Sequence, residues 1–90
     1  MQMYALPFNY RKKEYHSVVR VKHRNEETKL EVTILDSDLE WTLYGYHVFT
    51  VCDGCINCKK EAENQKVKEL QSELKNAIEG YFEKHRIQVA

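Results

Sequence analysis

The chain has 90 residues, of which 42% are apolar and 31% charged, and its 14 basic residues balance its 14 acidic residues. This length predicts a single domain with a small core, and the composition excludes a disordered chain. No apolar run approaches the roughly 20 residues that a transmembrane helix needs, so we expect no contact with a membrane.

The first thirteen residues, "MQMYALPFNYRKK", lack the apolar stretch that is typical of a secretory signal peptide. We interpret residues 1–13 as a flexible N-terminal arm and residues 14–90 as one α+β domain. An odd number of cysteines, three, does not suit a secreted disulfide framework. The sequence therefore predicts a reducing, cytoplasmic location.

Two segments in the first half of the domain alternate apolar with polar residues, which predicts half-buried strands over 15–23 and 29–35. The polar connection "RNEET" between them predicts an antiparallel hairpin. With the valines of the first strand in phase with the apolar residues of the second, Arg20 or Lys22 lies opposite Glu31. Such a pair helps to set the register.

The segment "LDSDLEWTLYGYHVFTV" is ambiguous in its first part. Ser37 and Glu40 form a capping-box pattern, which favours a short helix over 38–44, although Trp41 and its neighbours also suit a strand. The aromatic and β-branched run "YHVFTV" predicts a third strand over 46–51.

Near the C-terminus, apolar residues recur every three or four positions in a charged background, at Val67, Leu70, Leu74, Ala77, Ile78, Tyr81 and Phe82. This spacing predicts one long amphipathic helix over about 60–85, with Asn57 or Asn64 as its N-cap. We expect its apolar stripe to cover one face of an antiparallel sheet of about three strands. The same residues follow a short heptad rhythm, so a homodimer through this helix is an alternative.

All three cysteines lie in "VCDGCINCKK", as a CxxCxxC pattern between a predicted strand and the helix. In a curled loop, Cys52, Cys55 and Cys58 converge on one metal ion, and zinc requires a fourth ligand. His47 is the histidine nearest in sequence, so these four residues are the candidate zinc site. The chain lacks the second, distant CxxC-like pair of a typical zinc site, so ordinary thiols in a loop are the favoured interpretation.

Two further interpretations assign the cysteines to a redox-active site. An iron–sulfur cluster needs another ligand, from a histidine or from a partner's thiol. A thioredoxin-like dithiol fits the order of strand, CxxC and helix. Thioredoxin-like proteins place a cis-proline beside the thiols, but the single proline of this chain, Pro7, is far from the cysteines in sequence. The βαβ order of that fold is also missing, so both observations argue against a thioredoxin-like dithiol.

No cluster of acid, base and nucleophile emerges from the sequence, so a non-enzymatic interaction module with an unknown protein partner is the favoured function. The alternative is a single-stranded nucleic-acid binder that uses Arg20, Lys22, Tyr44 and Tyr46. The zero net charge and the absence of a known RNA-binding signature make nucleic acid the weaker choice.

Overall fold

The computed structural model describes residues 2–52 and 54–85 and has five strands and two helices. In chain order these are β1 (Gln2–Tyr10), β2 (Lys13–Arg24), β3 (Glu27–Ile34), α1 (Ser37–Leu43), β4 (Val48–Cys52), β5 (Cys55–Cys58) and α2 (Gln65–Lys84). The α+β class is confirmed. The sheet has five strands where about three were predicted.

Each strand pairs antiparallel with the next, in the order β1-β2-β3-β4-β5. Helix α2 packs against both edge strands, β1 and β5, so the sheet curls around it. We call the face of the sheet toward α2 the inner face and the opposite one the outer face. Neither helix in the described residues combines the length and the hydropathy needed to cross a membrane.

The core lies between the inner face and α2. Alternate residues of the strands point inward, and the most deeply buried of them include Val19, Leu30, Val32 and Phe49. The facing stripe of α2 consists of Val67, Leu70, Leu74, Ile78 and Phe82, all buried. Two further residues of the heptad rhythm, Ala77 and Tyr81, are partly buried against the same core.

Helix α2 begins five residues later than predicted, at Gln65, because the preceding residues form β5 and a connection. Asn64 is the N-cap, and its Oδ1 atom accepts hydrogen bonds from the backbone N–H groups of Lys66 and Val67 at 2.9 and 3.4 Å. The prediction of Asn64 is confirmed, whereas Asn57 lies within β5.

The prediction of a flexible arm over residues 1–13 is wrong, because most of this segment forms β1, an edge strand of the sheet. Its inward residues Leu6, Phe8 and Tyr10 are buried in the core, and the buried hydroxyl of Ser17 donates to the backbone oxygen of Leu6 at 2.9 Å. The strand tolerates Pro7 because an edge strand can leave one backbone position without an N–H donor.

The turn between β1 and β2 explains why this strand escaped prediction. Arg11 and Lys12 have φ angles of 51° and 65°, in the left-handed region that glycine and asparagine favour. Arginine and lysine have a steric cost in this conformation and are therefore unusual in two-residue turns. The sequence consequently contains no signal for a turn here.

The hairpin of β2 and β3 is confirmed. Arg20 lies directly opposite Glu31, which settles the choice between Arg20 and Lys22. Asn25 and Glu26 form the connection with φ angles of 50° and 64°, which match the right-handed twist of a tight hairpin.

The short helix is also confirmed, as α1, but its capping differs from the prediction. Asp36, one residue before Ser37, is the N-cap, and its Oδ1 atom accepts a hydrogen bond from the Leu39 N–H at 3.1 Å. The Glu40 carboxylate accepts from the backbone N–H of Ile34 at 3.3 Å, so it ties the helix to the end of β3.

Candidate functional site

The cysteine segment is a β-hairpin, where a loop was expected. Residues 53 and 54 connect β4 to β5, and Gly54 has a φ angle of 78°. An Asp-Gly dipeptide between two short runs is a strong hairpin signal, so the sequence contained this information although the loop interpretation did not use it. The hairpin places Cys52 directly opposite Cys55, and Cys58 opposite Phe49.

The hairpin divides the three thiols between the two faces of the sheet. Cys52 and Cys55 are exposed on the outer face, whereas Cys58 points inward and packs against the core. Burial raises the pKa of the Cys58 thiol, and the nearby carboxylate of Glu61 raises it further. Cys58 therefore carries less thiolate at neutral pH than an ordinary exposed cysteine.

The structure does not bring the four predicted zinc ligands together. Cys58 faces away from Cys52 and Cys55, and His47 precedes β4, whose far end is Cys52. At about 3.3 Å per residue, His47 and Cys52 are roughly 16 Å apart along the strand. Within residues 2–52 and 54–85, no three histidine, cysteine, aspartate or glutamate side chains form a group that can hold a metal ion.

The basic residues of the predicted nucleic-acid site lie on the outer face, around one carboxylate. Glu31 accepts from the Lys22 ammonium at 3.0 Å and lies 3.6 Å from the Arg20 guanidinium. The hydrogen bond from Lys22 lowers the pKa of Glu31, against an opposing effect of burial, and the charges of Lys22, Arg20 and His47 lower it further.

The tyrosines of that site lie elsewhere. Tyr46 is half-buried against the core, and the Lys60 ammonium lies over its ring at 5.2 Å. Tyr44 follows α1 at the surface. Tyr46 therefore packs on the core side, rather than on the outer face with Arg20 and Lys22.

Sequence reasoning named Tyr44 as a candidate binding residue, but it did not single out the surface of α1 on which Tyr44 lies beside Trp41. Trp41 is 76% exposed and Tyr44 is 72% exposed, and their rings lie against each other with centroids 5.8 Å apart. Leu39 and Leu43 point toward the core, so helical geometry directs Trp41 outward. The sequence contained a signal for this exposure: Leu39 and Leu43 are four residues apart and mark the buried side of the helix, which places Trp41 on the other side.

The sequence segment that carries this aromatic pair is acidic. The segment 36–44, "DSDLEWTLY", contains three carboxylates and no basic residue. Two of them have structural partners, since Asp36 caps α1 and Glu40 binds the end of β3. The result is an exposed aromatic pair on an acidic segment of the chain, residues 36–44, which we call the α1 surface.

Replacing Glu31 with glutamine is expected to lower the free energy of unfolding at pH 7 by about 0.5–1 kcal/mol. The folded-state pKa of Glu31 is below its ordinary value, so its contribution is present above that value and is lost as pH falls through the folded pKa. The difference between wild type and E31Q should therefore shrink toward acid pH. Urea unfolding of both proteins over a series of pH values measures it.

The matched control is Glu73→Gln, at an exposed position of α2. This control should follow the wild type at every pH. Equal stability of E31Q and wild type at neutral pH, with the same acid dependence, would contradict the assignment of Glu31 as the organising carboxylate of the outer face.

Comparison with known proteins identified no matching protein-family model, curated protein or solved structure. The α1 surface and the cysteine hairpin are therefore interpreted from the geometry and chemistry of this chain alone.

Proposed function

We propose that this protein is a non-enzymatic, cytoplasmic interaction module that docks a protein segment on its α1 surface. The observation that carries this proposal is the exposure of Trp41 and Tyr44 side by side. Tryptophan and tyrosine are the residues most enriched among those that dominate binding energy at protein interfaces. Most other aromatic side chains of the chain are buried or packed against the core, which makes this pair distinctive.

The charge of the α1 surface defines the chemistry of the partner. The segment 36–44, which carries the two rings, contains three carboxylates and no cation. A complementary partner presents an apolar anchor for the rings and a basic rim for the carboxylates. We therefore assign the occupant as a basic protein segment with at least one large apolar side chain.

The size of the α1 surface implies a short-lived complex. A buried tryptophan or tyrosine contributes about 150–250 Å² of contact area, so the pair supplies at most roughly 500 Å². A stable interface of standard size buries about 800 Å² on each partner. The module is therefore expected to bind transiently, with affinity set mainly by these two rings.

The test is selection of random 15-residue peptides displayed on phage, with the full chain as the immobilised target. We expect the enriched peptides to be basic and to contain aromatic or large aliphatic residues. Trp41 is the only tryptophan, so its fluorescence reports docking directly. Synthetic copies of the enriched peptides should shift its emission to shorter wavelength and protect it from acrylamide quenching.

Two variants distinguish binding at the α1 surface from non-specific binding to exposed apolar residues. The double variant Trp41→Ser, Tyr44→Ser should weaken peptide binding at least about tenfold, measured by fluorescence anisotropy of labelled peptides. The control Met3→Ser removes a 60% exposed apolar residue from β1 and should leave binding unchanged. Peptides without basic character, or equal binding to both variants, would contradict the proposal.

Sedimentation velocity of the unliganded protein distinguishes a second copy from a different partner. Under the proposal the wild type and the double variant are both monomers. A wild-type dimer that the double variant converts to monomer would assign the α1 surface to self-association and overturn the basic segment as its occupant.

A further inference from the structure

The exposed end of the β4–β5 hairpin holds two thiols in register. Cys52 and Cys55 are a directly opposite cross-strand pair, and only residues 53 and 54 separate them along the chain. Opposite residues of an antiparallel pair have Cα atoms about 4.5 or 5.5 Å apart, depending on the type of pair. Both separations lie within the range of roughly 4.4–6.8 Å that a disulfide bond spans.

The side chains of this pair also have the orientation that a disulfide needs. Opposite residues of two paired strands project from the same face, and both cysteines are exposed on the outer face. Small oxidants in solution can therefore reach both sulfur atoms. Cys58 is equally spaced from Cys55 in sequence, but it lies on the inner face against the core.

We propose that Cys52 and Cys55 are a reversible dithiol–disulfide site that reacts with low-molecular-weight disulfides such as glutathione disulfide, and that Cys58 takes no part. This proposal is independent of the α1 surface. It is a modification site that the fold creates by selecting one of two CxxC pairs.

The reaction proceeds by two thiol–disulfide exchanges. In the first, the thiolate of one cysteine attacks a sulfur of glutathione disulfide, which forms a mixed disulfide and releases one glutathione thiolate. In the second, the thiolate of the opposite cysteine attacks the protein sulfur of that mixed disulfide and releases the second glutathione. The two thiol protons end on the two glutathione molecules, so the protein loses two electrons and two protons.

The hairpin favours the second exchange over accumulation of the mixed disulfide. The opposite thiol is held at a high effective concentration by the paired strands, whereas a second glutathione must come from solution. The new ring spans only four residues and connects strands that are already paired with each other. Oxidation therefore requires little change in the fold, and reduction should restore the original dithiol.

The test compares the folded and the denatured full chain in the same glutathione buffer. After an acid quench and alkylation, peptide mapping by mass spectrometry measures the 52–55 and the 55–58 disulfides. In concentrated urea the two CxxC pairs have equal spacing, so we expect comparable amounts of the two products. In the folded protein we expect the 52–55 product to exceed the 55–58 product by at least about tenfold.

Two variants, each with one cysteine replaced by serine, complete the experiment. Cys58→Ser should retain the internal disulfide, whereas Cys55→Ser should stop at the mixed disulfide on Cys52. Circular dichroism checks that both variants are folded, as expected for Cys55→Ser because residue 55 is exposed. Equal product ratios in the folded and the denatured chain, or a folded Cys58→Ser protein that accumulates only mixed disulfide, would overturn the proposal.

Discussion

Replacing Phe8 with alanine is expected to lower the free energy of unfolding by about 3–5 kcal/mol. Phe8 is buried in β1, and its ring stacks on that of Tyr15 with centroids 5.8 Å apart. Truncation removes these contacts and leaves a cavity beside α2. A 90-residue domain has a total stability of roughly 5–13 kcal/mol, so this variant should be close to unfolding at moderate urea concentration.

Urea unfolding followed by circular dichroism measures the effect of Phe8→Ala. The matched control is Met3→Ala, in the same strand but 60% exposed, which should change stability by no more than about 0.5 kcal/mol. If the first thirteen residues were a flexible arm, both variants would unfold with the wild type. Such a result would contradict β1 as a structural strand.

Replacing Gln71 with leucine is expected to cost about 3 kcal/mol, although leucine has a similar size and is more hydrophobic. Gln71 is only 3% exposed. Its amide nitrogen donates to the backbone oxygens of Tyr46 and Lys60 at 3.1 and 2.9 Å, and its amide oxygen accepts from the Ala62 N–H at 3.2 Å. The substitution leaves these backbone groups without that partner, at about 1–3 kcal/mol for each group that stays dry.

The position of Gln71 explains the size of this effect. Its side chain joins α2 to the connection before β4 and to the connection after β5. Gln65→Leu is the matched control, because Gln65 is exposed at the start of α2 and should change stability by less than about 0.5 kcal/mol. Equal denaturation midpoints for the two variants would mean that Gln71 does not connect these segments.

The two proposals concern opposite ends of β4. The α1 surface lies before the start of this strand, and the Cys52–Cys55 pair lies at its other end, where the hairpin turns. Peptide binding is measured with Cys52 and Cys55 unchanged, and disulfide formation with Trp41 and Tyr44 unchanged. The failure of one proposal therefore leaves the other standing.

Local periodicity in the sequence determined much of the fold. Alternation of apolar and polar residues predicted β2, β3 and the face they turn to the core, and opposite charges predicted the pairing near Glu31. The spacing of Leu70, Leu74 and Ile78 predicted α2 and its buried stripe. These predictions succeeded because backbone geometry repeats every two residues in a strand and every 3.6 in a helix, whatever the partner is.

Tertiary structure alone decided the features that depend on how segments meet. The alternation of Leu6, Phe8 and Tyr10 was present in the sequence, but only pairing with β2 and cover from α2 made this segment a strand. In the sequence, Gln71 is indistinguishable from the exposed polar residues of an amphipathic helix. It is buried because the connections before β4 and after β5 pack over it. In each case burial came from residues distant in the chain, which local patterns do not record.

The cysteines show the same division most clearly. Three thiols at equal spacing are chemically alike in the sequence, and a curled loop would have placed all of them around one centre. Strand pairing instead aligns Cys52 with Cys55 and turns Cys58 to the inner face, because successive residues of a strand alternate between faces. The sequence thus determined that the thiols are close together, and the register of the β4–β5 hairpin decided which two of them can react with each other.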